Sequence, residues 1–397
     1  MGFLKFNLLV WSFLAAFKLQ ASISKPLFKK APKGPTIKID LKELSQKRRF
    51  WQMELSPLDT NRPSILDFSN TRKKDLEKMV YSYDQENWHP LVTQKTWKTM
   101  SKRILVEKRF NGKKVSLAMH EPYRVSHLEA YLKKIEKNPF VKVTRIGKTQ
   151  KGYDFPVVTV ANFDYLVSKP IRIFINARSS ALDVSSSWAI EGMIDFLAHS
   201  FEGQRLAKYF IFTIVPMHAM DDVTRYYAKK PPSPMRLIRG WAYDPQKKGL
   251  WQKAPRENHL LAHMLEKFQK GPYNVKMAVT LGSFDDRYPR FVSFFSAENR
   301  RLSSLERKLY FKQQKLSMLF HESNGFMGEK AIHFSGTGLQ NTMQQSYLWK
   351  KYQDDIFSIK FETPQRGLFV TKKHQKALGG KLAASLMHYY LSQSNAP

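Results

Sequence analysis

The sequence contains no cysteine. Disulfide bonds and thiolate catalysis are therefore excluded, and any metal ion would have to be held by His, Asp or Glu side chains. Acidic residues are also scarce, because 33 Asp and Glu stand against 66 Lys and Arg, which gives a net charge of +33. Such a surface attracts polyanions such as nucleic acid, acidic cell-wall polymers or anionic lipid, although a solvated basic face is the simpler explanation. The charge therefore predicts the sign of a partner and not its identity.

Long apolar stretches are lacking after the first 21 residues, so we expect no integral membrane segment in the mature chain. The N-terminal segment has Lys5, an apolar run from Leu8 to Phe17 and small residues around Ala21. This is the pattern of a secretory signal peptide, and it predicts export to a bacterial periplasm or the extracellular space. An uncleaved membrane anchor is the alternative, although Lys18 interrupts the apolar run.

Composition then divides the chain into segments. Residues 1–21 form the predicted signal peptide, and residues 22–48 are basic and contain proline, which predicts an extended tether. Residues 49–122 consist of short alternating runs separated by turn residues, a pattern typical of a small β-sandwich domain. Asn111-Gly112 lies between two such runs and predicts a hairpin at that point.

Strand-like and helix-like segments alternate in residues 123–397. Apolar runs such as IRIFINA and FIFTIVPM are typical of strands buried on both faces of a sheet. Helices are predicted over residues 187–200 and near 256–270. The fold class is therefore α/β, with a mixed and mostly parallel sheet flanked by helices and preceded by the β-sandwich.

Several segments, in one collinear order, resemble the zinc metallocarboxypeptidase family, and in particular its cytosolic-carboxypeptidase branch. The segment SSSWAIEGMIDFL resembles the helix that follows the family's first metal-binding turn. The segment FTIVPMHAMDDV resembles the strand and turn that contain the family's Pro-Asp-Gly. The family's Asp-Leu-Asn-Arg-x-Trp corresponds to RLIRGW, and the strand with its catalytic glutamate corresponds to FSIKFETPQRG. The resemblance covers about residues 49–397 and implies a carboxypeptidase A-like domain at 123–397 behind the sandwich.

The resemblance also implies a zinc ion held by two His and one Glu, but the chain does not keep these ligands. The positions of the first His, the Glu and the second His are occupied by Ser180, Asp183 and Gly282. A serine hydroxyl is a poor zinc ligand, glycine has no side-chain donor, and a single carboxylate binds zinc too weakly to hold it. We therefore expect no metal or other cofactor, and zinc only if an atypical ligand set still binds it.

Other functional positions of the family are better kept. Glu362 lies at the general-base position, and Arg239 matches the Arg that grips the terminal carboxylate of a substrate. Lys229 lies where the oxyanion-stabilising Arg is found, so the charge is kept and the forked geometry is lost. The simpler explanations are a strand glutamate paired with a nearby base for Glu362 and a surface ion pair for Arg239.

A geometric expectation follows for these residues. They lie at strand ends and adjacent turns, where open α/β sheets place their binding sites. Ser180, Asp183 and Gly282 should therefore converge at one end of the central sheet, with Glu362 and Arg239 facing the same hollow. Without a metal ion, the two carboxylates would need Arg or Lys partners to stay ionised.

Two further groups could hold a metal ion. His259 and His263 are one helical turn apart, but no Glu follows the first of them, and solvated or packed histidines are the simpler explanation. Asp285 and Asp286 could join Asp183 in an all-oxygen site for a harder ion.

The sequence thus favours an exported carboxypeptidase-fold protein that has lost zinc and hydrolytic activity and binds peptide C-termini or acidic envelope ligands. One alternative is an active metallocarboxypeptidase with an atypical metal set that acts on acidic or cell-wall peptides. A second alternative is a polyanion-binding protein, for which the basic run at residues 299–315 is the motivation. No interleaving of aromatic and basic residues in a groove is predicted for that run.

Overall fold

The structure is a computed structural model. It describes residues 35–40, 52–69, 79–92, 97–100, 103–227, 236–241, 253–284, 288–293, 302–325, 332–334, 344–365 and 371–394. The chain divides into two compact units, the first ending at Leu117 and the second continuing from Ala118.

The first unit contains two four-stranded sheets. Its strands are β1 (Thr36–Asp40), β2 (Gln52–Leu55), β3 (Ser64–Ser69), β4 (Val80–Ser82), β5 (His89–Pro90), β6 (Trp97–Met100), β7 (Arg103–Lys108) and β8 (Val115–Ala118). One sheet has the order β1-β3-β7-β6 and the other the order β2-β8-β4-β5. Apolar side chains of both sheets are buried, among them Leu66 and Phe68 on β3 and Leu117 on β8. The predicted N-terminal β-sandwich is thus a pair of small sheets.

The hairpin predicted at Asn111-Gly112 is wrong. The strand before it, β7, pairs with β3 and β6, whereas β8 after it belongs to the other sheet. The connecting loop packs on Tyr83, whose hydroxyl accepts a hydrogen bond from the Asn111 backbone N–H at 2.8 Å. A long-range contact therefore overrides the local turn preference, and Asn111 and Gly112 lie in a loop that connects the two sheets.

The second unit is built on an eight-stranded sheet with the order β15-β14-β16-β13-β11-β12-β10-β9. Its strands are β9 (Val141–Lys148), β10 (Asp154–Val160), β11 (Ile171–Ala177), β12 (Phe210–Val215), β13 (Val275–Phe284), β14 (Arg290–Ser293), β15 (Ile332–Phe334) and β16 (Phe357–Pro364). The central strands β12, β11, β13 and β16 are parallel, and β9 and β10 pair antiparallel with their neighbours. Strand β14 pairs antiparallel with β16 and parallel with β15. The mixed sheet predicted from the apolar runs is confirmed.

Helices accompany this sheet. They are α1 (Val125–Ile135), α2 (Val184–His199), α3 (Phe201–Leu206), α4 (Met220–Tyr227), α5 (Arg236–Arg239), α6 (Arg256–Lys270), α7 (Ser304–Ser323), α8 (Gln344–Tyr352) and α9 (Lys372–Ser394). Within the described ranges, no helix is long and apolar enough to cross a membrane.

Helices α2 and α9 pack unusually closely. A methyl group added at Gly192 on α2 would collide with the Lys376 carbonyl of α9, and one added at Gly379 on α9 would collide with the Ala189 carbonyl of α2. The two backbones therefore approach one another where only glycine fits. This contact fixes α2, whose N-terminal end follows the turn that carries Ser180 and Asp183.

Candidate functional site

A cavity of about 190 Å³ lies at the carboxyl ends of the central parallel strands. Its lining residues are Ser179, Asp183, Ile238, Trp241, Thr280, Leu281, Gly282, Ser283, Phe284, Gln344, Gln345, Lys360 and Glu362. Sheet register explains part of this set, because Gly282 on β13 lies opposite Glu362 on β16, which in turn lies opposite Arg290 on β14. Residues opposite one another in neighbouring strands project from the same face of a sheet.

Both carboxylate oxygens of Glu362 are held by cations. Lys360 Nζ lies 2.5 Å from Oε1, and Arg290 donates to Oε2 from both Nε and Nη2 at 2.7 Å. Burial raises the pKa of Glu362, but the charges and hydrogen bonds of Lys360 and Arg290 outweigh that effect and bring the pKa below its ordinary value. The carboxylate is therefore ionised, and each of its two oxygens has a cationic partner.

Lys360 occupies the space beside Gly282. A Cβ built on Gly282 would lie 3.4 Å from Lys360 Cε, so a larger side chain at position 282 would be in van der Waals contact with the lysine stem. Lys360 is two residues before Glu362 on β16, and side chains at that spacing leave a strand on the same face. Sequence reasoning missed Lys360 and Arg290, although the spacing of Lys360 from Glu362 was a usable signal.

Asp183 and Ser180 both lie in the turn between β11 and α2. Of these two residues, Asp183 lines the cavity and Ser180 does not. Asp183 is buried, and its Oδ1 accepts a hydrogen bond from the Ser283 backbone N–H at 3.3 Å. The Ser180 hydroxyl is buried too and accepts from the Leu182 N–H at 3.2 Å. The turn therefore brings one carboxylate to the cavity, whereas the serine caps its own backbone.

Arg178 holds this turn together. It has a φ of 56°, which places it in the left-handed region, and its side chain is completely buried. The guanidinium donates to the Ala181 carbonyl at 2.7 Å and to the Ser187 hydroxyl at 3.3 Å. A buried arginine thus links the turn to the first turns of α2, a structural role that the sequence did not reveal.

A buried polar cluster lies behind the cavity around His218, another residue that sequence reasoning missed. His218 Nδ1 is 3.2 Å from both Asn176 Nδ2 and Ser179 Oγ. Asn176 also donates to Gln344 Oε1, which accepts from Thr280 as well. Burial, with a smaller contribution from the charge of Arg236, lowers the pKa of His218 to about 3, so the ring is neutral at physiological pH. The cluster supports the cavity wall and brings no additional charge to it.

The remaining predicted site residues are placed less fully. Arg239 ends the short helix α5, and the residues around it, Ile238 and Trp241, line the cavity. The segment that carries Arg239 therefore borders the hollow, while its side chain lies outside the described part of the structure. Lys229 and the pair Asp285-Asp286 lie outside the described residues.

His259 and His263 are on α6, as the pattern predicted, and neither lines the cavity. Over the described ranges, no group of three or more His, Asp or Glu side chains could hold a metal ion. A larger cavity, of about 910 Å³, is lined by parts of α2, α3, α7 and α9 and contains none of the predicted site residues.

Zinc does not fit this donor set. Gly282 offers no donor, and the Ser180 hydroxyl is already engaged with the Leu182 N–H. The Lys360 stem lies against position 282, and its ammonium contacts Glu362. An ammonium group next to a divalent cation is disfavoured by charge repulsion, which is strong where water is excluded. The described lining of the cavity carries one ammonium group, Lys360, and two carboxylates, Asp183 and Glu362, and the ammonium group is paired with Glu362.

Comparison with known proteins agrees with the resemblance seen in the sequence. No family profile matches the chain. Cytosolic carboxypeptidase 1 of Gallus gallus is 29% identical over 120 residues, and that of Danio rerio is 28% identical over 120 residues. In both cases the match covers 27% of this chain and only 10% of the relative.

Solved structures match over most of the chain. A metallo-carboxypeptidase from Burkholderia cenocepacia superposes with a TM-score of 0.67 at 15% identity, covering 87% of this chain and 90% of that one. A putative carboxypeptidase A from Shewanella denitrificans gives a TM-score of 0.67 at 14% identity, covering 93% and 96%. A metallo-carboxypeptidase from Pseudomonas aeruginosa, in complex with (2-guanidinoethylmercapto)succinic acid, gives 0.63 at 14% identity, covering 90% and 94%. The chain has the metallocarboxypeptidase fold, and at such identities the likeness establishes the fold and not the activity.

Proposed function

We propose that this carboxypeptidase-fold protein binds the C-terminal end of peptides and does not hydrolyse them. The observation that carries the proposal is the arrangement of Lys360, Glu362 and Arg290. A general base must accept a proton from the attacking water, and it does so best when its pKa is near the working pH. Glu362 has both oxygens in ion pairs and a lowered pKa, so it is unsuited to this step.

The retained part of the family's machinery supports binding. Arg239 keeps the position of the carboxylate-gripping arginine, and its neighbours line the cavity. An arginine can make two parallel hydrogen bonds to a terminal carboxylate. The Pseudomonas aeruginosa structure contains a succinic acid derivative, so a protein of this fold is known with a carboxylate-bearing ligand. The same class of ligand is proposed for this chain.

Binding of matched peptides tests the proposal. A peptide with a free C-terminus should bind the purified protein, whereas the same peptide with an amidated C-terminus should not. Arg239→Ala should weaken binding about tenfold to a hundredfold, since a charge-assisted hydrogen bond contributes about 1.5–3 kcal/mol. Arg205→Ala on α3 is the matched control, because Arg205 is exposed and does not line the cavity.

Product analysis of the same mixtures separates this proposal from its main rival. Mass spectrometry should show the peptides intact after long incubation. Release of the C-terminal residue that stops on chelation and is abolished by Glu362→Gln would instead establish an active metallocarboxypeptidase with an atypical metal set. Binding that does not distinguish free from amidated peptides would rule out recognition of the C-terminus.

We also propose that the protein is exported and that its signal peptide is removed. The first 21 residues have the pattern of a signal peptide, and they lie outside the described residues. N-terminal sequencing of the protein from its native host should find a mature chain that begins near Ser22. A chain that retains Met1 and sediments with membranes would instead indicate an uncleaved anchor.

A further inference from the structure

The outward face of helix α7 combines positive charge with exposed apolar side chains. We call it the α7 face. Its residues are Arg307, Lys308, Phe311, Lys312, Lys315 and Met318. The helix begins with a capping box, in which Ser303 and Glu306 exchange hydrogen bonds, so its first turn is well defined. Leu309, Leu316 and Phe320 on the opposite side are buried, which fixes the helix rotation and leaves the α7 face outward.

The four cations of the α7 face line one shallow groove of about 540 Å³ together with Phe311 and with Tyr389 of α9. Lys308 and Lys312 both contact Asp354 at 2.6 Å. Among the described residues, the groove lining thus carries four cations and no carboxylate, and Asp354 beside it pairs with two of the four. Glu322 lies further along the helix, beyond the groove lining. An anionic partner is therefore complementary to this groove, on a chain whose net charge is +33.

The apolar side chains of the α7 face narrow the class of partner. Phe311 is 56% exposed and Met318 is 47% exposed, so each presents a large apolar group to solvent. With Leu305, 39% exposed, they make three of the eight large apolar side chains that are exposed in the described ranges. Nucleic-acid strands are bound by stacking bases on several aromatic rings, whereas the exposed groups here are one ring and two aliphatic side chains. Lysines around phenylalanine and aliphatic side chains are instead typical of helices that lie in the surface of an anionic bilayer.

We propose that the α7 face docks the protein on an anionic lipid surface. Arg307, Lys308, Lys312 and Lys315 contact the lipid head groups, while Phe311 and Met318 enter the boundary between head groups and acyl chains. This site is separate from the cavity that contains Glu362, so it does not depend on peptide binding.

Vesicle sedimentation with a matched pair of variants tests this site. The test variant carries Arg307→Glu, Phe311→Ser and Lys315→Glu. The control carries Lys133→Glu, Lys134→Glu and Phe201→Ser, which makes the same change of charge and also removes an exposed phenylalanine, but at positions on α1 and α3. Both variants leave Lys308 and Lys312 in their ion pairs with Asp354, and an unchanged melting temperature would show that both are folded.

The wild-type protein should sediment with vesicles of phosphatidylcholine and phosphatidylglycerol and not with vesicles of phosphatidylcholine alone. The test variant should bind the mixed vesicles at least about 25-fold more weakly, because each cation near an anionic surface contributes about a fivefold gain in binding. The control variant should bind nearly as the wild type does. Phe311→Ser alone should reduce the binding that remains at high salt, where charge attraction is screened.

Three results would overturn the proposal. The first is equal loss of vesicle binding in the test and control variants, which would mean that net charge alone attracts the protein. The second is binding of an oligonucleotide or an acidic polysaccharide, lost in the test variant, by a protein that ignores the mixed vesicles. The third is vesicle binding at high salt that Phe311→Ser leaves unchanged.

Discussion

Glu362 and Lys360 are two residues apart on β16, and their side chains meet on the face that lines the cavity. Arg290 reaches the same carboxylate from β14 and stacks its guanidinium 3.5 Å from the ring centroid of Phe284, another lining residue. Each of the three charges therefore has a partner of opposite sign, which a buried charge requires. The cations that pair with Glu362 are thus the side chains of Lys360 and Arg290.

Removing the carboxylate should therefore destabilise the protein in a pH-dependent way. Glu362→Gln leaves Lys360 and Arg290 without their anion and should lower the free energy of unfolding by about 3–5 kcal/mol at pH 7. Because the folded-state pKa of Glu362 is lowered, its contribution is present above the unfolded-state pKa, near 4.5, and is lost as the pH falls through the folded-state value. Melting curves from pH 7 to pH 3 should show the difference between wild type and variant shrinking toward acid.

The exposed Glu136 supplies the control for that experiment. Glu136→Gln should leave the melting temperature nearly unchanged at every pH. A difference between wild type and Glu362→Gln that grows toward acid would mean that the folded-state pKa of Glu362 is raised and that the ion pairs do not govern it.

The position of Lys360 beside Gly282 gives a prediction about zinc binding. Restoring the family's ligands with Ser180→His, Asp183→Glu and Gly282→His should be insufficient, because the lysine stem lies against position 282 and brings a positive charge. Adding Lys360→Thr to these three changes should allow zinc to bind. Equilibrium dialysis followed by metal analysis should find about one zinc per chain only in the fourfold variant. Equal zinc in the threefold and fourfold variants would show that Lys360 does not exclude the metal.

At the scale of elements, the sequence predicted what local periodicity controls. The helix expected near residues 256–270 is α6, Arg256–Lys270, and the helix expected over 187–200 is α2, which begins one turn earlier at Val184. The apolar runs IRIFINA and FIFTIV are the parallel central strands β11 and β12. Helix α6 has the period of an amphipathic helix, whereas the two strands are short continuous apolar runs of the kind buried on both faces of a sheet.

Features that depend on contacts between distant segments were not predicted. The loop at Asn111 crosses between sheets because Tyr83 holds it. Arg290 contacts Glu362 because β14 pairs with β16, and no local sequence pattern predicts that pairing. Of the candidate site, the cavity-lining residues Asp183, Gly282 and Glu362 were predicted from the sequence to lie together, whereas the cations around Glu362 required the strand order.

The close packing of α2 on α9 gives a prediction for these elements. Gly379→Ala should destabilise the protein strongly, because the new methyl group would collide with the Ala189 carbonyl and push the helices apart. Gly271→Ala is the control, since its new methyl group would come no closer than 3.3 Å to the Lys267 carbonyl. Overpacking costs about 1–3 kcal/mol or more, so thermal melting should separate the two variants clearly. Equal melting temperatures would mean that α9 can shift away from α2.

For the whole molecule, the fold and the chemistry of the site depend on different residues. The chain has the metallocarboxypeptidase fold, and its second unit has a cavity at the carboxyl ends of the central strands. This cavity carries a glycine at position 282, where the resemblance implies a metal ligand, and Lys360 lies beside it. A scaffold can retain a binding cavity after its catalytic groups have changed, because cavity shape depends on strand order and the chemistry depends on a few side chains.

The zinc content of the purified protein tests the central claim most directly. The protein would be dialysed against buffer with excess zinc, freed of unbound metal, and measured by atomic emission alongside an active metallocarboxypeptidase treated in the same way. We predict far less than one zinc per chain for this protein, and no change in its melting temperature on addition of a chelator. One zinc per chain, lost on chelation together with release of C-terminal residues from peptides, would contradict the account.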